Sequence, residues 1–200
     1  MEQEERQFVG FVGTEVVGRG SLVEVALAAK RRFDGATTDR IAVFDDDSGG
    51  AIDIELTGSA DQVAARVAQH PALAARVRSQ RGPGRPKLGV VSREVSLLPR
   101  HWDWLAEQRG GASAALRRLV DAASKANASQ DAVRVAIEAA HHFMWDMAGN
   151  LPGFEEASRA LFAQDLDAFE QRISSWPEGI REQLHRYVVR AMDSRETHAS

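Results

Sequence analysis

The stretch "QFVGFVGTEVVGRG", residues 7–20, decides the amino-terminal fold. Two short apolar runs flank Gly13 and Thr14, residue types that favour a tight turn, so the segment reads as two paired strands. The next residues, "SLVEVALAAKRRF" (21–33), change to a helical period. Ser21 and Glu24 have the spacing of a capping box, and Leu22, Val25, Ala26, Ala29 and Phe33 fall on the expected inward stripe. The order then repeats. "RIAVFDDDSGGAIDIEL" (40–56) reads as a hairpin with its tip at Asp46 to Gly50, and Ser59 with Gln62 caps a helix to about Gln69. Residues 1–75 are therefore expected to form an α+β unit built from a repeated strand-strand-helix order.

Working toward the carboxyl end, residues 76–91 carry Arg76, Arg78, Arg81, Arg85 and Lys87 with three glycines, two prolines and no acid, the composition of an arm or linker. Residues 92–125 read as strand, helix, helix. "SREVSLLP" alternates, Pro99 opens a helix to about Gln108, Gly110 and Gly111 break it, and Ser113 is expected to cap a second helix to about Ala123. Trp102 and Trp104, two apart on the first helix, are expected to face different ways, one of them inward. Residues 126–193 read as a helical unit: a long helix from Ser129 to about Ala148, a "GNLPG" turn, two short helices up to Trp176, and a last helix from Pro177 to about Met192. Residues 194–200 are expected to be a frayed tail.

Composition narrows the function classes. The chain has 200 residues, 44% of them hydrophobic, and no cysteine, which removes disulfides, thiolate metal sites and a cysteine nucleophile. No apolar run reaches membrane-spanning length, and the opening "MEQEERQF" is acidic where a secretory leader would be basic, so the expected location is cytoplasmic, with no membrane partner. The net charge of −4 hides an asymmetry. Residues 76–125 hold 11 basic and 4 acidic side chains, whereas residues 1–75 hold 7 and 13 and residues 126–200 hold 7 and 12. A basic segment between acidic flanks suits phosphate; it also suits a solvated linker or an acidic protein partner.

No catalytic residue, cofactor or metal ligand set is assigned from the pattern, and the expectation is that the chain is not an enzyme. Glu138, His142 and Asp146 are one helical turn apart in succession and make a possible metal edge, but no second ligand motif matches them; a hydrogen-bonded helix face is the preferred reading. Asp45, Asp46 and Asp47 lack the spacing of a calcium loop and read as a polar hairpin tip. "GRGS" before the first helix is a poor phosphate cradle, because Glu24 already places a carboxylate at that helix end.

Two local resemblances point to DNA. "RGPGRPK" resembles an AT-hook: Gly84 would permit close approach to the minor-groove floor, Arg85 would occupy its negative potential and Pro86 would keep the chain extended, with Arg81 and Lys87 beside them. Pro83 stands where the usual core has a second arginine. "REVSLLPRHWDWLAEQRGGASAALRRLVDAA" resembles the ribbon-helix-helix fold, which implies a homodimer whose paired strands lie in the major groove, with Arg93 and Ser96 on the strand and Ser113, Arg117 and Arg118 near phosphate. Here Glu94 occupies the outer face, and the spacing from Val95 and Leu97 to Pro99 is one residue short. Over nearly its full length the chain also resembles the bacterial family known as domain of unknown function 2239, through this block and through "HHFMWDMAGNLPGFEEASRALFAQDLDAFEQRISSWP". That resemblance implies a bacterial protein and supplies no activity. The resulting expectation is a DNA-binding protein or regulator; a protein–protein interaction module with no nucleic-acid role is the alternative.

Overall fold

A computed structural model describes residues 6–35, 38–74 and 93–196. The amino-terminal repeat forms as its patterning requires: β1 (Phe8–Val12), β2 (Glu15–Gly20), α1 (Leu22–Asp34), β3 (Ile41–Asp45), β4 (Ala51–Ile52) and α2 (Ala60–Val67). The four strands make one antiparallel sheet in the order β2-β1-β3-β4, with Phe8 opposite Asp45 and Val12 opposite Ile41. Both capping boxes are present: the Ser21 and Ser59 side chains accept from the Glu24 and Gln62 backbone N–H groups, and the Glu24 and Gln62 side chains accept from the backbones of the two serines.

Every residue of β1 is buried, because helices cover both faces of the sheet. Phe8 and Val43 pack with Leu22, Val25, Ala26 and Ala29 of α1 and with Val63 and Val67 of α2. Val9, Phe11, Ala42 and Phe44 point the other way, into a larger core made with the carboxy-terminal helices. The period-two alternation of β1 and β3 thus distributes side chains between two cores. Gly10 faces α1, where a Cβ would approach Val25 Cγ1 to 2.8 Å; its lack of a side chain lets α1 lie close.

After α3 (Pro71–Ala74), the described chain resumes at Arg93 and continues through α4 (Pro99–Ala106), α5 (Gly111–Ala148), α6 (Phe154–Ala163), α7 (Leu166–Ile173) and α8 (Glu178–Glu196). The fold is α+β, with the sheet held between the α1/α2 layer and the α5–α8 layer. Phe143 of α5 lies at the junction, its ring centroid 5.3 Å from Phe11, 5.0 Å from Phe44 and 6.0 Å from Tyr187 of α8.

Several expectations are corrected. The two helices expected at 113–123 and 129–148 are one, because "SKANAS" contains neither glycine nor proline and its alanines and lysine favour helix. Residues 194–196, expected to belong to a frayed tail, are instead the end of α8, which continues to Glu196. Phe33 is 44% exposed rather than inward: it borders an open groove with Asp39, Ile41 and Ile54. The segment 93–97 is in no strand ladder with the described residues and lies outside the sheet.

Candidate functional site

Helix α4 and the start of α5 form a helical hairpin turned by Gly110 and Gly111, which have φ of 88° and 73°. Two successive left-handed residues are costly for any side chain but accessible to glycine, which explains the "GG". Leu105 of α4 and Ala115 of α5 are the hairpin's buried residues. Beyond Ala115 the cover ends: every residue from Arg117 to Asn127 is exposed, and burial on α5 resumes at Val133. Trp102 and Trp104 are 42% and 48% exposed, so neither is the inward tryptophan that the sequence suggested. A hairpin of two helices has too little third-side cover to enclose an indole.

The site residues predicted on this hairpin are all at the surface. Arg93, Ser96, Ser113, Arg117 and Arg118 are exposed, and Arg118 Nη1 donates to the Arg109 carbonyl at 3.1 Å. Ser113 does not cap the helix, because α5 starts at Gly111 and Ser113 lies within its first turn; the helix has no side-chain cap. Among the described residues, Arg93, Arg100, Arg109, Arg117 and Arg118 make no ion pair with a carboxylate, and neither do Arg19, Arg31, Arg40, Arg172 and Arg181 elsewhere, whereas Arg6, Arg32, Arg66, Arg134, Arg159, Arg186 and Arg190 each do. Arg81, Gly84, Arg85, Pro86 and Lys87 lie outside the described residues.

The other polar clusters are built differently. His142 Nδ1 donates to the Ser48 carbonyl at 3.1 Å while Glu138 accepts from Arg134, so α5 does not bring Glu138, His142 and Asp146 together as a ligand edge. Among the described residues no three His, Asp or Glu side chains are placed to hold a metal ion. Asp45 and Asp46 at the hairpin tip are buried rather than solvated. Asp45 Oδ1 accepts from the Asp47 and Ser48 backbone N–H groups at 2.8 and 3.0 Å, and its other oxygen pairs with Arg6. Asp46 accepts from Gln183 Nε2 at 2.6 Å and pairs with Arg190, while Gln183 Oε1 accepts from Arg19.

This latch between sheet and α8 was not visible as a motif. Its only trace in the sequence is Gln183 on the otherwise apolar stripe of Ile180, Leu184, Tyr187 and Ala191. Burial, then the nearby Arg186 guanidinium, lowers the pKa of Arg19, and burial raises the Tyr187 phenol well above its usual value.

A third feature is aromatic. His141, Trp145, Phe154 and Phe162 cluster on α5 and α6, with the His141 and Phe162 centroids 4.8 Å apart and those of Trp145 and Phe154 5.7 Å apart. Trp145 and Phe162 are exposed. Partial burial, followed by repulsion from His142, lowers the His141 pKa.

The family model described as "Uncharacterized protein conserved in bacteria (DUF2239)" matches residues 7–188. The chain belongs to the DUF2239 family. The match runs from the first strand of the sheet into α8, so this DUF2239 protein carries the sheet, the hairpin and the helical layer within one family unit. No curated protein and no solved structure matches it. Among the described residues no helix of this DUF2239 protein is long and apolar enough to cross a membrane.

Proposed function

We propose that this chain is a DNA-binding protein of the bacterial cytoplasm, a regulator rather than an enzyme. Arg81, Arg85 and Lys87 of the segment 76–91 reach the duplex, and Arg93, Arg117 and Arg118 lie near phosphate. The observation that carries this reading is the set of exposed arginines on the 93–118 hairpin that no carboxylate compensates. Guanidinium groups without a carboxylate partner are available to phosphate, and phosphate contacts supply most of the sequence-independent affinity for DNA. The sequence adds the adjoining arm, rich in arginine and free of acids.

The test is fluorescence anisotropy with a labelled duplex across a salt series. Replacing Arg81, Arg85 and Lys87 with alanine should weaken binding and flatten the slope of log affinity against log salt by roughly two to three units, at about 0.9 per phosphate contact. Arg85 in a minor groove also predicts a preference for A·T-rich duplex. Absence of duplex binding by the intact protein at low salt refutes the proposal. In that case the protein-interaction reading takes its place, favoured by the exposed Trp145 and Phe162 beside His141.

A further inference from the structure

We propose that the turn between α5 and α6 holds a binding site for a quaternary ammonium group. Two sequence pairs build it, each an aromatic residue followed by an acid: Trp145 and Asp146 in the last turns of α5, and Phe154 and Glu155 at the start of α6. Residues 149–153, "GNLPG", reverse the chain so that both pairs line one cleft of about 480 Å³. The turn is fixed from behind, since Trp176 Nε1 donates to the Pro152 carbonyl and the Leu151 N–H donates to the Ala148 carbonyl, each at 2.8 Å.

The rings supply half of the chemistry. The Trp145 and Phe154 centroids are 5.7 Å apart with their planes inclined at 69°, so the two rings make walls at a steep angle rather than a closed stack. Phe154 is buried and fixed, whereas Trp145 is 65% exposed, which leaves indole face as well as edge accessible. The negative face of an indole attracts a cation, and a quaternary ammonium suits it because its methyl groups also match apolar walls, here Met147 and Leu151.

The charges select a cation as the occupant. Among the described residues, no lysine or arginine lines the cleft, and neither Asp146 nor Glu155 makes an ion pair. Two guanidinium groups reach the backbone of these residues and leave their carboxylates alone: Arg40 Nη1 donates to the Asp146 carbonyl at 3.1 Å, and Arg159 Nε donates to the Glu155 carbonyl at 3.3 Å while pairing with Glu156. His141, the ring next to Glu155, is neutral at pH 7, since burial and then His142 lower its pKa. The carboxyl end of α5 adds the negative pole of its dipole. Among the described residues no third His, Asp or Glu joins the two acids as a metal ligand, so rings and carboxylates together fit an organic cation.

This inference stands apart from duplex binding and is tested without nucleic acid. The probe is choline, titrated into the isotope-labelled full chain while NMR follows the amide signals of Gly149 and Asn150. Saturation is expected with a Kd on the order of 1 mM, and the uncharged isostere of choline, with carbon in place of the ammonium nitrogen, should bind at least about tenfold more weakly. Trp145→Ala should weaken choline about tenfold and Trp145→Phe by no more than about threefold, while Glu155→Gln should weaken it roughly two- to fivefold. The glutamine variant keeps the test valid if Trp145→Ala disturbs the turn. Peptides bearing trimethyl-lysine or plain lysine then identify the source: a trimethylated peptide that binds more tightly than choline marks a protein side chain, and one that binds no better marks a free ion. No saturation by choline, equal binding of the uncharged isostere, or unchanged affinity in both Trp145→Ala and Glu155→Gln overturns the inference.

Discussion

Replacing Phe143 with alanine should destabilise the sheet and the helical layer together. Phe143 is fully buried, and its ring contacts Phe11 and Phe44 from the sheet and Tyr187 from α8. Phe→Ala in a core costs about 3–5 kcal/mol, and the upper part of that range applies here because neighbours fixed on two different layers cannot both collapse into the void. Edge-to-face pairing adds to the loss: Phe44 and Phe143 meet at 77°. For a chain of this size about 4 kcal/mol corresponds to a fall in Tm of roughly 8–16 °C. The assay is urea unfolding followed by far-UV circular dichroism and by fluorescence. Trp176 is the buried tryptophan of the four, so the fluorescence change reports this core. The two probes should coincide in the wild type, and the variant should shift both midpoints equally. A loss below about 1.5 kcal/mol, or separate transitions in the wild type, would refute the claim that Phe143 joins the layers into one cooperative unit.

Asp46→Ala should cost about 2–4 kcal/mol by chemical denaturation, since it strands buried Gln183 without its acceptor and Arg190 without its partner, the ion-pair share being discounted for the exposure of Arg190; Asp46→Asn should cost less, and equal losses would remove the charge from the account. Gly49→Ala should cost more than about 2 kcal/mol, because Gly49 has a φ of 66° and a Cβ there would meet the Ala139 carbonyl oxygen at 1.9 Å; an unchanged Tm sinks this. His141, whose pKa is lowered by burial and then by His142, should make the protein less stable in acid. Above about pH 6.5 both folded and unfolded forms are neutral; below it the unfolded chain takes the proton first, so stability falls with pH until the folded pKa is passed. His141→Phe should flatten Tm against pH over that window, and an identical slope in the variant would discard the assignment.

The four amino-terminal strands, both capping boxes and the amino-terminal helices were legible because their determinants are local. A serine three residues before a glutamate or glutamine, or an alternation of five residues, carries its meaning whatever packs around it. What was not legible depended on the partner layer. "FDDDSGG" reads as a solvated tip by composition, and only the arrival of Gln183 and Arg190, more than 130 residues later, turns Asp46 into a buried acceptor. Phe33 keeps the correct helical phase yet is exposed at an open groove, because phase says which face a residue takes and not whether that face is filled. Of the candidate DNA contacts, the sequence correctly placed Arg117 and Arg118 on a helix after a glycine break, and it misplaced Ser113 as the cap.

The division of α5 follows from the same distinction. Helical propensity and the absence of glycine or proline carry one helix from Gly111 to Ala148, about 57 Å, without regard to what covers it. Its carboxy-terminal half is fixed by Phe143 and Met144 against the sheet and α8, and its first turns by Leu105 against Ala115. Between them Leu119 keeps the phase of the buried stripe but is 48% exposed. Because the helix is unbroken, the core that holds Phe143 also sets the direction in which the hairpin and its arginines project.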